Sequence, residues 1–291
     1  MNVAKRLVKV AQVQTLDNDL ATLGSHPLPP HLFGEVFQAN DGYTENAIPH
    51  RALSEQDGKR NIAVIGIREM LIRHHASPEQ WQATKQRREA IERLGLGAKL
   101  KPHRRIPINP DTQKGNLAEI VLAEYLITAT NIKLPIYRLH SNPNFDQAMK
   151  GNDVLAFDLD SDPVRIIIGE AKFRETSSIT DVKIIVKDLI RSHSGDGPVS
   201  LTFVGGQLEQ SGQKELAKRV YDCAVLFALG KLRLDYVGFL MSDTRSATRI
   251  HSAEPGSLRR LAIISLGVNA PNTLVDDCYR DLEDECLSQL I

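Results

Sequence analysis

The period of the hydrophobic positions changes several times along the chain, and each change marks an element. Between Gly151 and Arg174 the sequence GNDVLAFDLDSDPVRIIIGEAKFR carries two short runs of β-branched and aliphatic residues, Val154 to Leu159 and Val164 to Ile168. Asp160, Ser161, Asp162 and Pro163 supply turn chemistry between them, so the stretch predicts a β-hairpin. Two more strand-like runs follow, Tyr236 to Met241 and Leu261 to Leu266. Helical spacing gathers Val182, Ile185, Val186 and Leu189 on one face of Ile179 to Ile190. It does the same for Leu216, Val220, Cys223, Ala224 and Phe227 between about Gly212 and Leu229. Asn116 to Thr128 and a last segment from about Asn272 also predict helices. Ser77-Pro78-Glu79-Gln80 combines an N-cap, a first-turn proline and a capping-box partner, which predicts a helix from there to about Leu94.

Other stretches are less regular. Asn61 to Ile72 reads as a strand over IAVIGI and as a helix continuation over REMLIRH. From Leu23 to about Arg60, scattered Pro, Gly, Asn and Asp without sustained periodicity predict irregular structure, ordered only against another surface. Ile132 to Leu139 fits an additional edge strand, because Pro135 cannot donate to a ladder. The prolines of PHRRIPINPDTQKG place a domain boundary near Pro107 to Pro110. This divides a partly irregular, basic region 1–108, a candidate for partner binding, from a domain 109–291. Strands alternating with helices predict an α/β fold with a mixed sheet flanked by helices.

The hairpin carries the chemistry. If Leu159 pairs with Val164, counting back along both arms brings Asp153 opposite Glu170. Directly opposed Cβ atoms lie roughly 5 Å apart, so two carboxylates there repel unless a cation lies between them. Alternation puts Lys172, Ile166 and Ile168 on the Glu170 face, and a one-residue slip would turn Asp153 to the wrong side. Two carboxylates and a backbone carbonyl suit Mg²⁺, which keeps several waters and meets substrates through phosphate oxygens. Such a site fits phosphodiester cleavage, the metal activating water and Lys172 orienting the nucleophile or the scissile phosphate. The bland alternative is a surface hairpin with a cross-strand ion pair. On the preceding helix, Glu119 and Glu124 are five residues apart, so only one of them readily faces the site.

Asp153 followed after a hairpin by Glu170-Ala171-Lys172 resembles the D…ExK core of the PD-(D/E)xK nuclease superfamily. With the upstream GNLAEIVLAEYL (Gly115 to Leu126), the GND and GEAKF segments in order resemble the nuclease subunits of Hachiman anti-phage defence systems, over roughly residues 110 to 290. The resemblance implies a restriction-endonuclease-like core preceded by an N-terminal extension. It implies Asp153 and Glu170 as ligands of Mg²⁺ or Mn²⁺, Lys172 as the group assisting the attacking water, and Glu119, near the start of its helix, as a further catalytic residue. Asn152 stands where the superfamily name has Pro; that position is not a ligand, so the chemistry is untouched. DNA as target and a separately encoded helicase-type ATPase as partner and restraint are further implications.

Charge and composition narrow the rest. Lys and Arg total 36 and Asp and Glu total 36, so no global field attracts nucleic acid and binding needs local patches. Lys183, Lys187 and Arg191, recurring every fourth residue away from their helix's apolar face, are one candidate track for a phosphate backbone. Lys85, Arg87, Arg88, Arg93, Lys99, Lys101, Arg104 and Arg105 form the most basic stretch, either a solvated face or a second contact. Cys223, Cys278 and Cys286 form no Cys-x-x-Cys pair, which argues for buried thiols in a reducing cytoplasm rather than disulfides or zinc. The N-terminal apolar stretch is interrupted by Lys9 and predicts neither secretion nor a membrane span. Phosphate loops, dinucleotide fingerprints, HExxH and GxSxG are missing from the sequence, and so is an ATP motor. His74 and His75, neighbours on a helix, point in different directions and read as structural or exposed rather than as a metal pair. Two functions stay open: a metal-dependent nuclease, and a non-catalytic nucleic-acid-binding or adaptor module on a nuclease-like scaffold. The retained Asp153, Glu170 and Lys172 favour the first.

Overall fold

Strands β1 (Phe37–Tyr43), β2 (Pro49–Glu55), β3 (Val154–Asp158), β4 (Arg165–Phe173), β5 (Arg233–Ser242) and β6 (Leu261–Gly267) form one mixed sheet ordered β1-β2-β6-β5-β4-β3. The computed structural model describes residues 21–100, 103–130, 132–193, 200–252 and 258–290. The strands β2, β6, β5 and β4 run parallel, and β1 and β3 close the two edges antiparallel. Every position of β6 is buried, as expected of a strand covered on both faces, where alternation gives way to a continuous apolar run.

The helices are α1 (Leu32–Val36), α2 (Arg60–His75), α3 (Pro78–Arg93), α4 (Pro110–Ala129), α5 (Ile179–His193), α6 (Ser200–Gln210), α7 (Lys214–Ala228), α8 (Ser246–His251), α9 (Pro271–Tyr279) and α10 (Leu282–Gln289). One core packs Leu71, Trp81, Leu122, Tyr125 and Leu274 from helices α2, α3, α4 and α9 on Ile167, Val237 and Ile264. The other packs Ile185, Leu208, Val220 and Ile250 from α5 to α8 on Ile166, Ile168 and Ile263. This is the expected α/β architecture, consistent with a restriction-endonuclease-like core. Among the described residues no helix is long and apolar enough to cross a membrane.

Local signals hold at several points. Ser77 Oγ accepts from Gln80 N at 3.2 Å while Gln80 Oε1 accepts from Ser77 N at 2.9 Å, completing the capping box of α3. Asn61 to Ile72 resolves as part of the helix α2. The helix expected from Asn116 begins earlier, because the Asn109 side chain accepts from Asp111 N and Thr112 N and Pro110 suits the first turn.

Other expectations are corrected. The segment from Leu23 to Arg60 is not irregular: it supplies α1 and both strands β1 and β2, ordered within this chain. The boundary expected near Pro107 to Pro110 is not among these corrections: residues 107–109 carry neither helix nor strand, and Pro110 opens α4. Ile132 to Leu139 makes only a single bridge, Lys133 to Phe157, before a short 3-10 turn at Arg138–Ser141. Ala224, expected in the core, is exposed; Ala217 takes the buried position instead. The last helix is two, broken where Asp281 adopts φ 52°. All three cysteines are buried free thiols.

The basic stretch is partly neutralised inside the fold. Arg88 pairs with Glu283, and with Asp284 at 2.7 Å, and Lys85 donates to the Leu290 carbonyl. Glu283 also accepts from the backbone N–H groups of Arg105 and Ile106 at 3.1 and 2.9 Å. Arg87, Arg93, Lys99 and Arg104 stay exposed, and Lys101, like the N-terminal residues 1–20, lies outside the described residues.

Candidate active site

The β3–β4 ladder runs from Asp158 opposite Arg165 to Val154 opposite Gly169. One further step puts Asp153 opposite Glu170, the register that pairing Leu159 with Val164 predicts. Asp153 Oδ2 accepts from the Ala171 N–H at 2.9 Å, so the carboxylate is tied to β4 at the point where the ladder ends. Glu170 and Lys172 continue the face on which Ile166 and Ile168 meet the core under α5.

Two glycines let the flanking helices approach. A Cβ on Gly169 would lie 2.9 Å from both Leu122 Cδ2 and Val154 Cβ, so the missing side chain lets α4 pass close over the hairpin. Glu119, one turn before Leu122, is thereby brought to Asp153. On the opposite face a Cβ on Gly238 would lie 2.7 Å from Ile185 Cγ2, and Asp188, one turn after Ile185, reaches Lys172.

Two cations thread these acids. The Arg138 guanidinium stands 3.8 Å from Glu119 Oε2 and 3.7 Å from Asp153 Oδ1, anchored by the carbonyls of Asn152 and, at 2.8 Å, Met149. Lys172 Nζ lies 2.5 Å from Glu170 Oε1 and 3.2 Å from Asp188 Oδ2. Asp188 in turn holds Arg191 at 3.3 Å. Burial and the neighbouring Asp153 push the Glu119 carboxyl well above the usual range. Burial also raises Asp153, outweighing the Ala171 N–H bond and the fields of Arg138 and Lys172. Glu170 is pushed up to about 7 by burial and Asp153. Burial works against the Lys172 charge, but Glu170, Asp153 and Asp188 outweigh it and hold its pKa above the usual lysine value.

The site therefore holds more buried acid than its cations satisfy, which is the electrostatic setting for a further cation. Among the described residues no three His, Cys, Asp or Glu side chains form a ready ligand cage. The donor set fits Mg²⁺ or Mn²⁺ as a partial oxygen site, since such ions take one or two carboxylates and complete their shell with water and phosphate.

The family model named HamA matches residues 36–282. The chain belongs to the HamA family. The Hachiman protein HamA of Bacillus cereus is 28% identical over 278 residues, covering 94% of this chain and 97% of that protein. The HamA match begins before β1, so it takes in both N-terminal strands, which the resemblance over roughly residues 110 to 290 had left out.

Asp153, Glu170, Lys172 and Glu119 thus come together. Glu124 does not join them, being bound to His74 Nε2 at 2.6 Å and Arg73 at 2.8 Å. His74 and His75 do diverge, His75 bonding the Leu71 carbonyl and Asn116. Lys183, Lys187 and Arg191 line the exposed side of α5, Arg191 linked to the site through Asp188. Arg138 and Asp188 were missed. The signal for Asp188 is a lone acid in the cationic and apolar run KIIVKDLIR; Arg138 lay in a segment read only for strand propensity.

Proposed function

We propose that this chain is the metal-dependent nuclease of a Hachiman anti-phage defence system, cleaving phosphodiester bonds of DNA, with a helicase-type ATPase partner that restrains it. The observation that carries the reading is the meeting of Asp153, Glu170 and Lys172 where the β3–β4 ladder ends. Membership of the HamA family, with a relative named as a Hachiman protein, supports the defence role. A restraining partner is consistent with a chain whose sequence carries no ATP motor.

Asp153, tied down by the Ala171 N–H, and Glu170 would hold Mg²⁺ or Mn²⁺. When bound, the ion supplies Lewis-acid polarisation of the phosphate and a water of lowered pKa. Lys172 stays charged between Glu170 and Asp188, so its ammonium is fixed where it can hold the attacking oxygen or a phosphate oxygen. Glu119, with its raised pKa, is the member of the cluster that keeps a proton. Arg138 offsets charge between Glu119 and Asp153.

Plasmid incubated with the purified chain and Mg²⁺ is expected to be cut, and chelation to stop the cutting. Plasmid and single-stranded DNA both left intact under Mg²⁺ and Mn²⁺ would make the chain an adaptor. Co-expression with its genomic neighbour is expected to give a complex whose nuclease activity depends on ATP or DNA ends.

Metal binding has a readout besides cleavage. The Glu170 carboxyl titrates near 7 in the fold against 4.5 ordinarily, so the unfolded chain releases this proton first as pH rises. The carboxyl therefore costs stability increasingly across that interval, and the whole cost is in place above about pH 7. A divalent cation offsets it. Mn²⁺ is expected to raise the melting temperature more at pH 8 than at pH 6, and the difference should vanish in Glu170→Gln. Equal shifts at both pH values would remove Glu170 from the ligand set.

Duplex affinity tests the α5 stripe. Replacing Lys183 and Lys187 by Gln is expected to flatten the log–log salt dependence by about 0.9 per lost phosphate contact. An unchanged slope would assign both lysines to solvent.

A further inference from the structure

A cavity of about 230 Å³ opens directly beside the carboxylates, with Glu119, Arg138 and Asp153 in its wall. The rest of its lining is mostly apolar. Ile120 and Ala123 come from α4, Phe203 from α6, Leu155 from β3, and Leu134 and Met149 from the connection that leads into the hairpin. The neutral polar side chains that line it already have partners. Ser200 Oγ donates to Asn152 Oδ1 at 2.9 Å, and His74 is bound to Glu124.

This pairing of an oily interior with a charged wall matches the two halves of a nucleotide, a flat base with apolar faces and a phosphate, joined through one sugar. We propose that the cavity receives one unstacked base of the strand being cleaved, so that the preferred substrate is single-stranded or frayed DNA rather than intact duplex. The proposal rests on the nuclease reading above. A base inside a duplex is paired and stacked and must leave the stack to enter such a site, and a strand that is already single meets the least resistance. With the base seated beside Phe203 and the aliphatic walls, its own phosphates lie toward the side lined by Asp153, Arg138 and Glu119, whose surplus negative charge a divalent cation held by Asp153 and Glu170 would offset. Because most of the lining is apolar and Ser200 Oγ and Asn152 Oδ1 are bonded to each other, the cavity favours the face of a base over its hydrogen-bonding edge. The site is therefore tolerant of sequence, as stacking platforms for single strands are.

The test uses the full chain with Mg²⁺ and one oligonucleotide presented single-stranded and as a blunt duplex. Single strands are expected to be cut at least about tenfold faster, and Ala123→Met, which fills the cavity, and Phe203→Ala, which removes its aromatic wall, should each slow single-strand cleavage by about tenfold. In parallel, a 2-aminopurine-containing single strand should brighten on binding to the Glu170→Gln chain, and adding Ala123→Met should cancel the rise. If Ala123→Met does not fold, Phe203→Ala is read in its place. Duplex cut as fast as single strands, both variants cutting like the parent, or an emission change indifferent to them would each overturn the pocket. Failure to cut any DNA while the cavity-dependent emission change persists would overturn the nuclease reading alone. Neither cutting nor an emission change would overturn both.

Discussion

Glu170→Gln is expected to lower DNA cleavage by about 10² to 10³ while leaving the melting temperature at or slightly above the parental value. The substitution keeps the shape of the side chain and removes a charge that the fold tolerates poorly, since burial and Asp153 already push this carboxyl up to about 7. A group disfavoured by its own surroundings is a candidate for chemistry rather than stability. Asp153→Asn and Lys172→Met should give losses of the same order. Glu119→Gln should cost less, because Gln imitates the protonated carboxyl that burial beside Asp153 favours. Asp188→Asn leaves Lys172 with Glu170 as its one remaining carboxylate partner among those within 3.2 Å, so it should reduce cleavage partially, through positioning. The measurement is initial plasmid-cutting rate at saturating Mg²⁺ beside a melting curve. Parental rates in Glu170→Gln would remove the site from the function altogether.

What was legible in the sequence follows from the range over which each signal acts. The β3–β4 register rests on a hairpin whose two arms and turn are neighbours in the chain, so counting outward from Leu159 and Val164 sufficed to oppose Asp153 and Glu170. The capping box of α3 is equally local. Arg138 and Asp188 enter the site through tertiary packing, α5 being seated close over Gly238 and Arg138 held by the carbonyls of Asn152 and Met149. The lone acid in KIIVKDLIR marks Asp188 itself, but no local pattern encodes either contact. The N-terminal strands were hidden for a different reason. In β2, Pro49, His50, Arg51 and Leu53 are all buried, so polar residues occupy inward positions and the alternation that announces a strand is scrambled. His50 bonds Ser265 on β6 at 2.9 Å, and that partner lies 215 positions away in the sequence. Polar groups buried with distant partners look like loop residues until the partners are known.

Arg51→Met is accordingly expected to be among the most destabilising single changes in the chain, at about 3 kcal/mol, the lower end for breaking a buried ion pair. The Arg51 side chain is 3% exposed and meets Asp41, whose side chain is 39% exposed, at 2.6 Å. Asp41 can therefore recover hydration when its partner is lost, which is why the lower figure applies. The groups that recover least are the buried ones: Arg51 also donates to the Leu23 carbonyl at 3.1 Å and to Tyr125 Oη at 3.3 Å, besides the part-buried Gly24 carbonyl at 2.9 Å. Met fills much of the volume but donates nothing, so the buried Leu23 carbonyl stays desolvated and unpaired, while Tyr125 Oη keeps only its bond to His26 Nδ1 at 2.9 Å. The cost should appear as a denaturation midpoint lowered without a change in slope. A midpoint equal to the parent's would mean that the N-terminal strands are held by their ladders alone. The same variant separates fold from function. In the sheet, β6 and β5 stand between Arg51 on β2 and Glu170 on β4. At a temperature where both proteins are folded, Arg51→Met should cut DNA at the parental rate, whereas Glu170→Gln should melt like the parent and not cut.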